Sequence, residues 1–156
     1  LDKIGEYTQI SQEAMNDIVW MIDSKNDRFE NILVKMRTHA AETIGSTSIH
    51  LHLNLDERLK NVKIDMKQRK NLYLIFKESL NNILKYAQCK SVWIDLYEND
   101  KMITLMIKDD GRGFKLEDTR GNGLVNMKKR AMEIKGVLTI DSLPGKGTSV
   151  KLVFDL

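Results

Sequence analysis

The sequence predicts an α+β fold in which helices cover one face of a mixed, mostly antiparallel β-sheet. Three patterns support this prediction. Apolar residues recur with helical spacing over about residues 66–87, two alternating strands are joined by a turn at 98–101, and alternation returns after Gly147 and continues to the chain end. The apolar face of the helix must be buried against another element, and the alternating strands supply a sheet with one apolar face.

The composition is that of a globular protein with a substantial core. The 156 residues are 42% hydrophobic and 30% charged, and a net charge of +3 is too small to indicate nucleic-acid binding. The single cysteine, Cys89, excludes a disulfide within the chain and is expected to be a small buried apolar side chain. No run reaches the length of a membrane span. Because the chain starts at Leu1 rather than Met, we expect a fragment of a longer protein.

The first 23 residues are predicted to form a helix with the apolar seam of a helical bundle. A helix with this much apolar surface needs a partner, so we expect a dimer or a further helix. Packing against its own domain is the alternative. The seam consists of Ile4, Tyr7, Ser11, Ala14, Ile18 and Met21.

Residues 24–27 interrupt the helical pattern, and we place a domain boundary there, between 1–24 and 25–156. Asp27 and Glu30 have the spacing of a capping box, which predicts the start of a second helix.

The second helix fades near Gly45, and a strand with one buried face follows over 49–55. His50 and His52 fall on the other face of this strand. A solvated face explains both histidines, and metal chelation is the alternative. The apolar stripe of the second helix consists of Phe29, Leu33, Met36 and Ala40.

A capped start, with Asp65 followed by Gln68, opens a long helix that runs to about Ala87. One face is apolar and would pack on the sheet. The opposite face holds two asparagines, Asn81 and Asn82, which are unfavourable inside helices because their amides compete for backbone partners. The apolar face consists of Leu72, Ile75, Phe76, Leu80, Ile83 and Ala87.

The polar face of this helix has the chemistry of a phosphate and metal site. Glu78 and Asn82 offer carboxylate and amide oxygens, which suit Mg²⁺ or its water shell. Lys85 could meet a phosphate. A satisfied polar surface is the alternative explanation.

The most informative stretch begins at Asp109, directly after the second strand of the hairpin. Gly111 and Gly113 allow a sharp turn and close approach to the main chain, and the aspartate can accept a hydrogen bond from a ligand amino group. Gly121 and Gly123 open a further helix whose free amides could face an anion. These features suggest a nucleotide site, with the base at the aspartate and the phosphates near the second glycine pair. A tight surface turn is the alternative.

The remaining elements follow the same reasoning. The helix that begins at Gly123 is expected to end at Gly136, since a glycine commonly follows the last helical residue. The polar segment 115–120 is expected to be a mobile loop. Strands are predicted over 137–142 and from 148 to the end of the chain.

Three elements in this order resemble the N, G1 and G2 boxes of the Bergerat-type ATPase superfamily. They are Glu78–Ala87, Asp109–Gly113 and Gly121–Leu124. The superfamily includes the sensor histidine kinases, DNA gyrase, the mismatch-repair ATPases and a heat-shock chaperone. The resemblance covers essentially the whole chain and implies a two-layer sandwich preceded by a bundle-type helix.

The surroundings of the boxes narrow the resemblance. Leu74–Glu78 and Asn122–Arg130 are similar to the nitrate-sensor-like class of histidine kinases. Asp17–Ile22, followed by Lys25–Asp27, is similar to the junction in large Bacteroidetes sensor kinases and hybrid regulators. The first helix would then be the second helix of a dimerisation hairpin.

The resemblance also implies roles for the matching positions. Asp109 would bind the adenine amino group, and Gly111 and Gly113 would let the purine approach the backbone. Asn82 would ligate Mg²⁺, and Glu78 would position the Mg²⁺ shell or polarise the acceptor. Phosphates would be held by Lys85, Gly121, Gly123 and Leu124, residues 114–123 would form the lid, and Thr148 would lie near the adenine pocket.

Two features depart from the family pattern. Tyr86 stands where the family usually has His. The phosphoacceptor histidine, which an acidic residue should follow, is absent, because His39, His50 and His52 are followed by Ala, Leu and Leu. The acceptor is expected on a helix that precedes Leu1, so the fragment should bind ATP without phosphorylating itself.

The implied cofactors are ATP and Mg²⁺. The implied partners are the phosphoacceptor helix of the same protein and a response-regulator receiver domain, with a homodimer in the full-length protein and no nucleic acid bound by this fragment. The implied location is the cytoplasmic part of a membrane-anchored sensor. Two alternatives remain open: a nucleotide-binding interaction module without kinase activity, and a related ATPase that drives conformational change.

Overall fold

The computed structural model describes residues 2–119 and 121–156, so the predicted helical start at residue 1 lies outside the described residues. No helix within these ranges is both long and apolar enough to cross a membrane. The α-helices are α1 (Asp2–Ile22), α2 (Phe29–Gly45), α3 (Met66–Asn82) and α4 (Gly123–Glu133). The strands are β1 (His50–Leu55), β2 (Ser91–Asn99), β3 (Met102–Asp109), β4 (Val137–Ser142) and β5 (Thr148–Asp155). Short helical turns occupy Ser24–Asn26, Glu57–Asn61 and Leu116–Asp118, and a π-helical turn, Ile83–Ala87, continues α3.

The strands form one mixed sheet in the order β1-β2-β3-β5-β4. β1 pairs with β2 in parallel, and the other three pairings are antiparallel. Ile94, Ile107 and Val150 are aligned across the three central strands, and all three are buried. The predicted α+β class and the mostly antiparallel sheet are therefore confirmed.

α3 covers the buried face of the sheet with the apolar side that its sequence pattern predicts. The Asp65 carboxylate accepts a hydrogen bond from the Gln68 backbone N–H at 2.7 Å, so the predicted helix start is confirmed. Leu72, Phe76 and Leu80 are fully buried, and burial of each contributes about 2 kcal/mol. The polar side of α3 is consequently turned away from the core.

The start of α2 differs from the prediction, and the capping box at Asp27 and Glu30 is wrong. α2 begins after Arg28, whose side chain makes no capping hydrogen bond. The Asp27 carboxylate instead lies 3.2 Å from the guanidinium of Arg69. Arg69 is 1% exposed, and a buried charge is costly unless it has an ionic partner. The start of α2 is solvated, so it has less need of the Asp27 carboxylate.

The end of α4 also differs from the prediction at Gly136. The residue with left-handed backbone is Lys135, at φ 52°, rather than the glycine. A different constraint acts on Gly136, because a Cβ there would lie 3.0 Å from the Val153 carbonyl oxygen and 3.2 Å from the Phe154 Cβ, and these atoms would have to move slightly. The glycine lets the connection from α4 pass close over β5.

The last turn of α1 packs against the rest of the chain, whereas its earlier turns are exposed. Met21 is buried, but Ile4 and Tyr7 are not. The Asp17 carboxylate lies 2.9 Å from the Lys35 ammonium and accepts a hydrogen bond from Lys77 at 2.8 Å. The alternative, packing against its own domain, therefore holds for the last turn of α1. A partner for the exposed part stays a prediction, as does the boundary at residue 24.

A buried arginine on α3 fixes the end of α1. Arg69 Nη2 donates to the carbonyl of Met21, which is one of the last carbonyls of α1 and has no partner within the helix. Arg69 Nη1 donates to the Asp27 carboxylate and, at 3.4 Å, to the carbonyl of Ile64. One side chain thus joins α1, the turn after it and the segment before α3.

Replacement of Arg69 by alanine should lower the free energy of unfolding by about 3 kcal/mol, because it leaves a cavity and removes the partner of buried carbonyl groups. Urea denaturation measures this change. The matched control is Arg58→Ala, since the Arg58 guanidinium is exposed and pairs with Asp56 at the surface. Its midpoint should match that of the wild type. Equal shifts for both variants would contradict the role of Arg69.

Candidate functional site

A cavity of about 640 Å³ lies between the end of α3, the loop after β3, the start of α4 and β5. Nine of the ten residues that sequence analysis selects line it, and the tenth, Gly111, does not. The structure therefore brings the separate motifs into one site, while the roles of the residues stay predictions. The nine are Glu78, Asn82, Lys85, Asp109, Gly113, Gly121, Gly123, Leu124 and Thr148.

Asp109 forms one end of the cavity and is almost completely buried. It is the last residue of β3 and is 3% exposed. Its Oδ1 accepts a hydrogen bond from the Gly111 N–H at 2.8 Å, and the backbone N–H of Thr148 also donates to the carboxylate. Burial raises the pKa of the Asp109 carboxyl, and these two hydrogen bonds offset part of that effect. A ligand that donates a hydrogen bond here would further stabilise the carboxylate.

Glycines surround the Asp109 backbone because other parts of the main chain occupy the space of a side chain. A Cβ on Gly111 would overlap the carbonyl oxygen of Ala87, and a Cβ on Gly147 would overlap that of Asp109. Gly113 meets the carbonyl oxygen of Leu143 in the same way. The role of Gly111 and Gly113 in close approach of a purine stays a prediction, and close packing of backbone on backbone is a further reason for a glycine at both positions.

Ser142 supports the floor of this end of the cavity, and sequence analysis missed it. Its hydroxyl lies 2.9 Å from the Thr148 hydroxyl and accepts a hydrogen bond from the Phe114 N–H at 2.9 Å. It also donates to the carbonyl oxygen of Gly147 at 3.2 Å. The signal was present, because Ser142 is a polar residue on the buried face of β4, in line with Ile140.

The other end of the cavity is formed by the polar side of α3 and the start of α4. Glu78 and Asn82 lie one helical turn apart, and both are half-buried. A Cβ on Gly123 would lie 2.6 Å from Glu78 Oε1 and 3.9 Å from Asn82 Nδ2, so the start of α4 stands directly against both side chains. The side chain of Asn122 makes no capping hydrogen bond, which leaves the first amides of α4 open to an anion.

The segment between the two glycine pairs lies along the cavity rim. A short turn, Leu116–Asp118, is exposed, and Asp118 and Thr119 line the cavity. Arg120, the last residue of the predicted loop, lies outside the described residues. Tyr86 also lines the cavity and is largely exposed.

The histidines and the cysteine lie outside the cavity lining. His50 and His52 are exposed, as their predicted place on the polar face requires, and His52 stacks on Trp93 with ring centroids 5.2 Å apart. Within residues 2–119 and 121–156, no group of three His, Cys, Asp or Glu side chains could hold a metal. Cys89 is partly buried against the core, and burial raises the pKa of its thiol.

Alanine at Gly147 should be far more harmful than alanine at Gly145. The two glycines have almost the same backbone angle, φ 75° and 78°, so backbone strain of about 1 kcal/mol is common to both variants. Open space surrounds Gly145, whereas a methyl group at Gly147 would collide with the Asp109 carbonyl oxygen. We expect Gly147→Ala to lose about 2 kcal/mol more in urea denaturation. Equal losses would show that the packing around Asp109 is not tight.

Asparagine at Asp109 should make the protein more stable at neutral pH. Because burial raises the folded-state pKa of Asp109, ionisation favours the unfolded chain as the pH rises from about 4 through that folded-state pKa. The uncharged variant has no such loss, so its advantage should grow over this range and then stay constant. Urea midpoints measured from pH 4 to pH 8 test this. An advantage that does not change with pH would contradict the raised pKa.

Comparison with known proteins agrees with this arrangement. Residues 67–156 match the family described as histidine kinase-, DNA gyrase B-, and HSP90-like ATPase. The sensor histidine kinase YdfH of Bacillus subtilis is 31% identical over 125 residues, which are 77% of this chain and 29% of YdfH. An uncharacterized sensor-like histidine kinase of Chloroflexus aurantiacus is 34% identical over 131 residues, 79% of this chain and 21% of that relative. The chain thus spans less than a third of each.

Two solved structures share the fold at low sequence identity. The Erythrobacter litoralis EL346 blue-light activated histidine kinase has a TM-score of 0.75 and 19% identity, over 97% of this chain and 50% of that one. The Acinetobacter baumannii histidine kinase AdeS has a TM-score of 0.69 and 15% identity, over 99% of this chain and 82% of that one. With the family match and the sensor-kinase relatives, the conclusion is that this chain belongs to the histidine kinase-, DNA gyrase B-, and HSP90-like ATPase family.

Proposed function

We propose that this chain is the ATP-binding catalytic domain of a two-component sensor histidine kinase, and that it transfers the ATP γ-phosphoryl group to a histidine outside the chain. The observation that carries the proposal is the chemical difference between the two ends of the cavity. A buried carboxylate, Asp109, lies at one end, and Glu78, Asn82 and the start of α4 lie at the other. Its volume of about 640 Å³ is within the range of small-molecule sites.

The Asp109 end suits the adenine base. A carboxylate can accept a hydrogen bond from the exocyclic amino group, and a buried carboxylate discriminates strongly because an unsatisfied polar group is costly there. Thr148 and Gly113 complete the walls of this end. The amino group of the base would add a donor to those that the backbone already supplies to Asp109.

The α3–α4 end suits the phosphates with Mg²⁺. Glu78 and Asn82 offer oxygen ligands, and Gly121, Gly123 and Leu124 place the start of α4 beside them. Two side chains cannot enclose an ion, but Mg²⁺ commonly binds proteins through one or two such groups together with substrate phosphates and water. The donor set therefore fits. When bound, the ion would neutralise phosphate charge, and Lys85 would add a positive charge to the same end.

Catalysis in such a site consists of placement and charge neutralisation. Glu78 lies at the phosphate end and contacts the start of α4, which suits a role in orienting the metal shell or polarising the acceptor histidine. The segment 114–123 would close over the triphosphate as a lid. Water exclusion by the lid would favour transfer to the acceptor over hydrolysis.

The wider assignment follows the sensor-kinase relatives. Residues 1–24 would end the dimerisation hairpin and 25–156 would form the catalytic domain of a nitrate-sensor-like kinase. The acceptor helix of the same protein and a response-regulator receiver domain would be partners, with a homodimer in the full-length protein and a cytoplasmic position in a membrane-anchored sensor. The acceptor is placed outside the chain because none of the three histidines here precedes an acidic residue.

Replacement of Glu78 by glutamine should preserve MgATP binding but slow phosphoryl transfer by about a hundredfold, because the amide has nearly the same shape without the charge or basicity. The assay adds a separate acceptor helix, in which an acidic residue follows the phosphoacceptor histidine, and measures the transfer of labelled phosphate to it. Glu30→Gln is the matched control, since Glu30 is exposed on α2 and does not line the cavity.

The outcomes separate the alternatives. Equal transfer rates for the wild type and Glu78→Gln would refute the role of Glu78. A wild-type chain that binds MgATP, but in a complete protein with its acceptor never transfers phosphate, would favour an interaction module. Failure of the wild type to bind MgATP would refute the proposed function as a whole.

A further inference from the structure

We propose that Arg112 is a positioning residue for the phosphate end of the site, because it ties the end of α3 to the loop that directly follows Asp109, here called the Asp109 loop. This inference rests on the proposed function, since it takes MgATP as the ligand. It concerns a residue that sequence analysis did not select and that lies at the rim of the cavity.

The end of α3 needs hydrogen-bond donors from another segment. Regular α-helix ends at Asn82, a π-helical turn follows over Ile83–Ala87, and Gln88 is left-handed at φ 49°. The last carbonyl groups of a helix have no donors within the helix. π-helical turns are frequent at functional sites, and this one carries Lys85 into the cavity wall.

Arg112 supplies two of the missing donors. Its backbone N–H donates to the carbonyl of Ala87 at 2.8 Å, and its side-chain Nε donates to the carbonyl of Tyr86 at 2.8 Å. A guanidinium cation at a helix C-terminus is also favoured by the helix dipole. The carbonyl of Arg112 in turn accepts a hydrogen bond from the Gly145 N–H at 2.6 Å. One residue therefore joins α3, the Asp109 loop and the turn between β4 and β5.

The consequence is a fixed distance between the two ends of the cavity. Lys85 directly precedes Tyr86, and within the described residues its ammonium has no ion-pair partner. The backbone of the π-helical turn sets the point from which the Lys85 side chain extends. Asp109, the last residue of β3, lies three residues before Arg112, which is on the loop that follows. The bond from Arg112 Nε to the Tyr86 carbonyl therefore holds the backbone at Lys85 in a set position relative to Asp109.

Direct contact between the Arg112 charge and a phosphate is the competing explanation, since the side chain is exposed and lines the cavity. The two explanations predict different effects when Arg112 is replaced by lysine. Lysine keeps the charge but has no planar Nε–H group to reproduce the bond to Tyr86. Adenosine tests the Asp109 end of the cavity alone, because it would reach Asp109 but carries no phosphates.

The experiment measures the affinities of MgATP and of adenosine by competition against a fluorescent nucleotide. For Arg112→Lys and Arg112→Ala, we expect MgATP to bind about tenfold more weakly and adenosine to bind as in the wild type, because the lost bond involves a charged group. Lys108→Ala is the matched control, since it removes an exposed positive charge from β3 outside the cavity lining. It should leave both affinities unchanged.

A double-mutant cycle gives the second readout. If Arg112 acts through Lys85, the variant with Lys85→Ala and Arg112→Ala should bind MgATP as Lys85→Ala alone does, within about twofold. Additive losses would overturn the proposal. Wild-type MgATP affinity in Arg112→Lys, or an equal loss for adenosine and MgATP, would also overturn it. Each of these outcomes would refute the role of Arg112 without affecting the proposed function. The proposed function itself fails if the wild-type chain does not bind MgATP.

Discussion

The close packing of main chain around Asp109 is the constraint on which the site depends. The carbonyl oxygen of this residue leaves no room for a Cβ at Gly147, and the carbonyl oxygen of Ala87 leaves none at Gly111. The end of β3, the end of α3 and the start of β5 therefore meet without intervening side chains. This contact buries the Asp109 carboxylate while leaving it at the cavity wall, so the fold accepts an unfavourable buried charge at the place where a ligand can use it.

The phosphate end is constrained in a different way, through the period of one helix. α3 must keep Leu72, Phe76 and Leu80 against the sheet, and this fixes the direction of Glu78 and Asn82 on its other side. The same helix then changes to a π-helical turn. The sheet-packing pattern and the site are thus two faces of one element, and a change of helix register would disturb both.

The sequence predicts those parts of the fold that local patterns determine. Asp65 begins a helix because its own neighbour, Gln68, supplies the hydrogen bond, and the alternation around Ile94 and Ile107 predicts a hairpin. The candidate site residues were selected from ligand chemistry, which restricts residue types within short segments, and from the family resemblance. Nine of them proved to line one cavity.

The errors arise where a distant segment decides the outcome. Asp27 contacts Arg69, a residue 42 positions away, and no local pattern reveals a buried arginine. Gly136 is constrained by β5 passing beside it rather than by its own backbone angle. Ser142 and Arg112 were missed for the same reason, since their partners belong to other elements.

The attachment of α1 has a mechanical consequence. Its last turn is held by Arg69 at the Met21 carbonyl and by Asp17 between Lys35 and Lys77. Arg69 and Lys77 are both on α3, the helix that also presents Glu78 to the cavity. These contacts therefore do not let α1 rotate about its own axis independently of α3. Such a rotation would exert a torque on α3.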